Sequence, residues 1–230
     1  MGFGRAAAPR GGDFSPEAQS ERISALVRAL DGAPVVLAGH SLGAGIALLA
    51  ALNLAPARVA GLVLVSAAVY RQSLPTYLTL LRNRGIGGLF LLAPPPAWAI
   101  ARGIRGIVGD GRTVDTEQVE GYRAPLRDRA RRRAILRAAR QLDVDSGDRL
   151  ASRLGELGVP ALLIWGDRDR VVPPEFGRRL ARGLGNADLV LLEGVGHLPP
   201  EEAPRRSVEP VLRFLQSLGP SRREAASGSA

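Results

Sequence analysis

A layered α/β fold, in which a parallel sheet is covered by helices and interrupted by a helical insertion, is predicted by three observations. Residues 35–38, 61–66, 159–165 and 188–192 are short, almost continuously apolar runs, as strands buried on both faces must be. The first two runs alternate with segments of helical periodicity in the order αβαβ, which right-handed crossovers convert into a parallel sheet. Between about residues 70 and 154 the strand signal vanishes, and it resumes afterwards at the same rhythm.

Each element has a local reason. Residues 1–12 are glycine-rich and aperiodic and read as a loop. Ser15-Pro16-Glu17 supplies an N-cap, a proline at the first helical position and an acid in the first turn. Ile23, Leu26, Val27 and Leu30 then recur at helical spacing and predict the buried face of that helix. Residues 35–38 predict a strand covered on both sides, and 42–54 a helix apolar nearly all round. Candidate helices in the insertion are 74–81, 97–108, 116–122 and 127–142. Pro174 opens a helix carrying Phe176, Leu180 and Leu184, and a last helix spans 204–215, with Pro210 expected to kink it or delay its start. The domains expected are a core of residues 1–69 and 155–218, a helical cap of 70–154 and a disordered tail of 219–230.

Composition narrows the function. The 230 residues include no cysteine, which excludes disulfides and thiolate-held metal, and two histidines leave too few nitrogen ligands for a metal site. No metal or other cofactor is implied. The chain opens with no signal-peptide pattern, so a cytoplasmic address is expected. The uncharged runs 32–57 and 85–101 are broken by glycine or proline short of the about 20 apolar residues that span a bilayer, so stable membrane insertion is not expected. All 31 basic residues are arginine and the net charge is +9. Such a bias fits GC-rich coding and speaks first to solubility and non-specific attraction. Arg129, Arg133, Arg137 and Arg140 share one face of a candidate insertion helix, which reads as a solvated outer face, with a landing patch for an anionic substrate or membrane as the alternative. Nucleic-acid binding is not expected, because aromatic residues are 4% of the chain and no supporting motif is present.

The chemistry centres on Gly39-His40-Ser41-Leu42-Gly43, set between a buried strand and a buried helix. A serine on so sharp a turn projects its hydroxyl clear of the backbone, and the new helix points its free N–H groups, that of Leu42 first, at any oxyanion formed there. A serine hydroxyl is a weak nucleophile and needs a base, itself held by a third group. His40 leaves the turn in another direction, so His197, just beyond the fourth strand, is the candidate base. The acid is expected in the loop after the third strand, where Asp169 is preferred and Asp167 held in reserve. The chain order Ser, Asp, His is one of the three known for this geometry.

These residues resemble the α/β-hydrolase superfamily, and in particular its cap-bearing, serine-nucleophile members. Gly-His-Ser-Leu-Gly at 39–43, Trp-Gly-Asp-Arg-Asp-Arg-Val-Val-Pro at 165–173 and Gly-His-Leu-Pro-Pro-Glu-Glu-Ala-Pro at 196–204 carry the likeness, which covers nearly the whole chain outside the tail. It implies Ser41 as nucleophile, Asp169 as acid and His197 as base. The serine disfavours the family's aspartate-nucleophile dehalogenase and epoxide-hydrolase branches. Residues 1–5 resemble the loop that follows the family's fourth strand, so an N-terminally truncated α/β-hydrolase fold is expected. It would lack the first strands and the loop that supplies a second oxyanion donor, which leaves residues 35–38 as an apolar edge. A start assigned too far downstream is the preferred reading of this, ahead of a fragment or a degenerate scaffold.

The expected activity is hydrolysis of a small or medium ester through an acyl-enzyme. Carbon–carbon bond hydrolysis or acyl transfer on the same triad is the alternative, and a non-catalytic binding protein the alternative from another class. A small-molecule acyl substrate is the expected partner, with oligomerisation possible. Leu89, Leu92 and Trp98 are expected to line its apolar pocket, from hydrophobicity alone.

Overall fold

The computed structural model describes residues 6–7, 11–30, 32–143 and 146–219. The tail beyond 219 and the first five residues, on which two of the expectations above rest, lie outside the described residues. Four strands form one sheet in the order β1 (Val35–His40), β2 (Val59–Val65), β3 (Ala161–Gly166), β4 (Ala187–Leu192), every neighbouring pair parallel. Helix α1 (Pro16–Ala29) precedes β1, and α2 (Leu42–Leu52) links β1 to β2. Between β2 and β3 lie α3 (Thr76–Arg82), α4 (Arg84–Leu92), α5 (Ala97–Arg105), α6 (Thr116–Arg123), α7 (Arg129–Gln141) and α8 (Ser146–Ala151). Helix α9 (Pro174–Leu184) joins β3 to β4, and α10 (Pro199–Glu202) and α11 (Pro204–Ser217) close the described chain. No helix among the described residues is long and apolar enough to cross a membrane.

Alternation along the strands divides the core into two layers. Leu37, Leu62, Leu64, Leu163 and Trp165 pack with α1, α2 and α9, while Val63, Val65, Leu162 and Ile164 pack with Phe214 of α11. Two-sided burial explains why β2 and β3 are apolar at consecutive positions. The expectation that β1 is equally covered does not hold. Helix α11 packs on β3 and β4 and leaves the corresponding face of β1 open, so Ala38 is exposed at the sheet edge.

Helix α1 is also turned relative to its apolar stripe. Gln19, Ser20, Ser24 and Val27 are buried, whereas Ile23, Leu26 and Leu30 face outward. The alanine- and glycine-rich surface of α2 lets α1 approach closely through small side chains, and Ser24 Oγ–H donates to Ala50 O at 3.3 Å. Ser15 caps α1 as expected, its Oγ accepting from Ala18 N–H at 3.3 Å. Such a cap contributes about 1 kcal/mol.

Helix α4 is not predicted by periodicity, because Gly85, Gly87 and Gly88 read as breakers. It forms because Asn83 Oδ1 accepts from Gly85 and Ile86 N–H, and because Gly87 lets it pack flush on α7, where a Cβ would lie 2.8 Å from Leu136 Cδ1. On α7, Arg129 and Arg140 are exposed as expected, but Arg133 and Arg137 of the same stripe are only half-exposed, and Arg132 is buried. Its guanidinium donates to Leu126 O, Arg127 O and Leu91 O, and so joins α7 to the C-terminal end of α4. Helix α11 runs through Pro210 from Pro204 onward, without the delayed start.

Candidate active site

Ser41 occupies the junction of β1 and α2 with φ 53° and ψ −120°, a conformation that costs a residue with a Cβ about 1–3 kcal/mol. Backbone hydrogen bonds hold it there. Ser41 N–H donates to Val65 O at 2.8 Å, and Ser41 O accepts from Ala44 N–H at 3.0 Å and Ala68 N–H at 3.1 Å. Of the two motif glycines only Gly39 is sterically obligatory: a Cβ there would lie 2.4 Å from Gly43 O, whereas one on Gly43 meets nothing within 4 Å. Gly45 is the second tight position, 2.8 Å from Ala68 O by the same construction.

The turn aims the hydroxyl at His197. Ser41 Oγ–H donates to His197 Nε2 at 3.0 Å, and His197 Nδ1–H donates to Asp169 Oδ2 at 2.9 Å. A carboxylate only accepts, so the proton sits on Nδ1 and the Nε2 lone pair faces the serine. Asp169 is 4% and His197 5% exposed. The other Asp169 oxygen accepts from Val171 and Val172 N–H, both at 2.9 Å, and Trp165 Nε1–H donates to Val172 O at 2.9 Å, which fixes the loop. The reserve candidate Asp167 accepts instead from Gly194 N–H at 2.7 Å and serves the neighbouring turn.

The loop carrying His197 is gripped from three sides. Gly166 at the end of β3 abuts it so closely that a Cβ would lie 2.2 Å from Val195 O and Gly196 O. His197 N–H donates to Ile107 O at 2.8 Å. The Glu202 carboxylate accepts from Gly196, Leu198 and Gly109 N–H at 2.7–3.1 Å, tying the loop to the segment after α5. Sequence reasoning missed Glu202; its signal is an acid five residues after the histidine, at the end of a turn opened by Pro199. His40 does leave the turn away from Ser41, yet it stays near: its Nε2–H donates to His197 O at 2.7 Å, and the two rings are 4.8 Å apart. Burial holds the His40 imidazole below its ordinary pKa, the hydrogen bond to His197 O opposing that shift.

Ser41 opens on a cavity of about 350 Å³. Leu42, Leu49, Leu78, Ile135, Leu142 and Leu150 give it apolar walls, with Tyr77 and Gln72 among its polar groups. Leu42 begins α2, so its N–H has no acceptor within the helix and lies at the positive end of the helix dipole. Leu89, Leu92 and Trp98 do not line this cavity. They are 66%, 74% and 70% exposed, because α4 and α5 turn their glycine and alanine faces inward and these side chains out.

The sequence profile of the alpha/beta hydrolase family matches residues 1–209. The chain belongs to that family. Within it, the chain is similar to the uncharacterized hydrolase YugF of Bacillus subtilis, at 29% identity over 93% of this chain and 77% of the relative. Among solved structures, an alpha/beta hydrolase fold protein from Burkholderia ambifaria superposes with a TM-score of 0.79 at 24% identity, over 93% of this chain and 77% of that one. A thermophilic esterase from Thermogutta terrifontis gives 0.75 at 24% identity, over 94% and 77%. At these identities the two structures speak to the fold, which for this alpha/beta hydrolase is a parallel sheet with helices between its strands.

Proposed function

We propose that the protein is a serine hydrolase that cleaves a small or medium, uncharged ester through an acyl-enzyme. The observation that carries this reading is the unbroken line Asp169–His197–Ser41 ending at an apolar cavity. His197 takes the hydroxyl proton as Ser41 Oγ attacks the ester carbonyl, and Asp169 steadies the imidazolium. Leu42 N–H donates to the oxyanion as it forms. His197 returns the proton to the departing alkoxide, then activates water to release the acid and regenerate Ser41.

The cavity lining favours the ester reading over carbon–carbon hydrolysis of anionic oxo-acids. Among the described residues its lining includes Glu17 and Asp143 but no arginine or histidine, so these residues offer a substrate carboxylate nothing cationic to pair with. We assign the segment between β2 and β3 the role of a cap, since α3 and α7 supply Tyr77, Leu78 and Ile135 to the cavity wall. A cytoplasmic address suits the absence of cysteine.

A fluorophosphonate probe tests the proposal. Expected is covalent labelling of the wild-type protein at Ser41, abolished in Ser41→Ala, with turnover of p-nitrophenyl esters falling in parallel. Absence of labelling in folded protein would leave a binding protein of this fold as the surviving account.

A further inference from the structure

The segment containing α3, α4 and α5 exposes large apolar side chains and carries arginine without any acidic residue of its own. On α4, Ile86, Leu89 and Leu92 occupy the arc opposite Gly87 and Leu91, the residues that meet α7. On α5, the exposed Trp98, Arg102 and Arg105 fall at i, i+4 and i+7 along one stripe, beside the buried Ala101 and Ile104. Residues 71–109 contain Arg71, Arg82, Arg84, Arg102 and Arg105 and not one carboxylate. Among the described residues, Arg84, Arg102 and Arg105 form no ion pair.

From this arrangement we infer that the outer face of α4 and α5 docks on an anionic lipid surface, peripherally and without spanning it. Exposed leucines on one helix and an exposed tryptophan on the next, with arginine beside the tryptophan on α5, is the composition of helices that lie in the headgroup region, where tails enter the acyl boundary and guanidinium groups stay with phosphates. A second copy of the chain would be a poor occupant, because pairing two such faces brings arginine against arginine on molecules of net charge +9. Leu89, Leu92 and Trp98 stand two-thirds or more exposed, which a fluid acyl layer accommodates without a matching groove. The inference is independent of the ester reading.

The two tryptophans make a direct test. Trp165 is fully buried and its indole N–H bonded, so a change of emission on lipid binding reports Trp98. The full chain is mixed with phosphatidylglycerol or phosphatidylcholine vesicles at low and high salt, with emission and co-sedimentation recorded. Expected is a blue shift and sedimentation with phosphatidylglycerol, weakened by salt. Arg102→Ser with Arg105→Ser should lower binding about 30-fold at low salt. Leu89→Ser with Leu92→Ser should lower it at least about tenfold. Binding should persist in Ser41→Ala, and turnover of a soluble ester should be unchanged in the leucine and arginine variants. The inference is overturned by a lack of shift and sedimentation at low salt, or by binding indifferent to the leucines, which would be bare charge attraction. A dimer that shields Trp98 without lipid also overturns it.

Discussion

Replacing Glu202 by alanine tests whether one carboxylate keeps the His197 loop in catalytic register. The change strips the acceptor from Gly196, Leu198 and Gly109 N–H. Gly196 and Leu198 are buried, and a buried N–H left unpaired costs about 1–3 kcal/mol. Stability should therefore fall by about 2–6 kcal/mol, or about 4–24 °C in Tm for a chain of this size. A drift of about 1 Å in the imidazole costs on the order of 10²-fold in rate. Glu202 does not line the cavity, so the loss should appear in kcat, with KM unchanged. Glu202→Gln keeps one accepting oxygen but sets its amide N–H₂ against a backbone donor, and should fall between the two. Thermal unfolding by circular dichroism and steady-state hydrolysis of p-nitrophenyl butyrate read both quantities. A lowered Tm with undiminished kcat would refute the positional argument and leave Glu202 a purely structural tie.

Three further outcomes are expected. Asp169→Asn should lower kcat by on the order of 10⁴-fold with the fold intact, whereas Asp167→Asn, which touches only a turn N–H, should lose less than about tenfold; equal losses would undo the assignment of the acid. Gly39→Ala, driving a Cβ to 2.4 Å from Gly43 O, should destabilise by about 1–3 kcal/mol or more, while Gly43→Ala should be tolerated in the same denaturant titration. Because burial depresses the pKa of His40 below its ordinary 6.5, the unfolded chain takes up that proton first as pH falls. The contribution of neutral His40 is then complete above about pH 6.5 and is lost below it. His40→Gln, whose amide still donates to His197 O, should flatten the acid side of the Tm–pH curve; an unchanged slope would show that His40 does not set it.

The parts legible in the sequence are those where local chemistry and fold agree. Residues 61–65 and 161–165 lie between two helical layers, so their composition alone announces strands, and the elbow geometry at Ser41 leaves a steric signature in Gly39. His197 and Asp169 follow from scarcity and position, with one other histidine and one competing aspartate to weigh. What failed to show depends on partners distant in sequence. The apolar stripe of α1 points outward because α2 presents alanines that accept Ser20 and Ser24 more closely than isoleucine. Arg132 reads as one more solvated charge until the carbonyls of Leu91 and Leu126 converge on it. Leu89, Leu92 and Trp98 are as hydrophobic as any cavity wall, and only the small residues behind them decide that they face outward. Glu202 was hidden because backbone N–H groups, its three partners, carry no sequence identity.

Ser41, the proposed nucleophile, follows directly on β1, which pairs on one side only, with β2, among the described strands. Its height above the sheet is consequently measured from a neighbour that carries no chemistry of its own. Ser41 N–H hangs from Val65 O, and Ser41 O is held by Ala68 N–H. Residues 65–68 thus form the foundation on which the hydroxyl is levelled. A change there that shifts the backbone would tilt Ser41 away from His197 while leaving every member of the proposed triad present, so inactive variants of this chain need not map to any residue proposed to react.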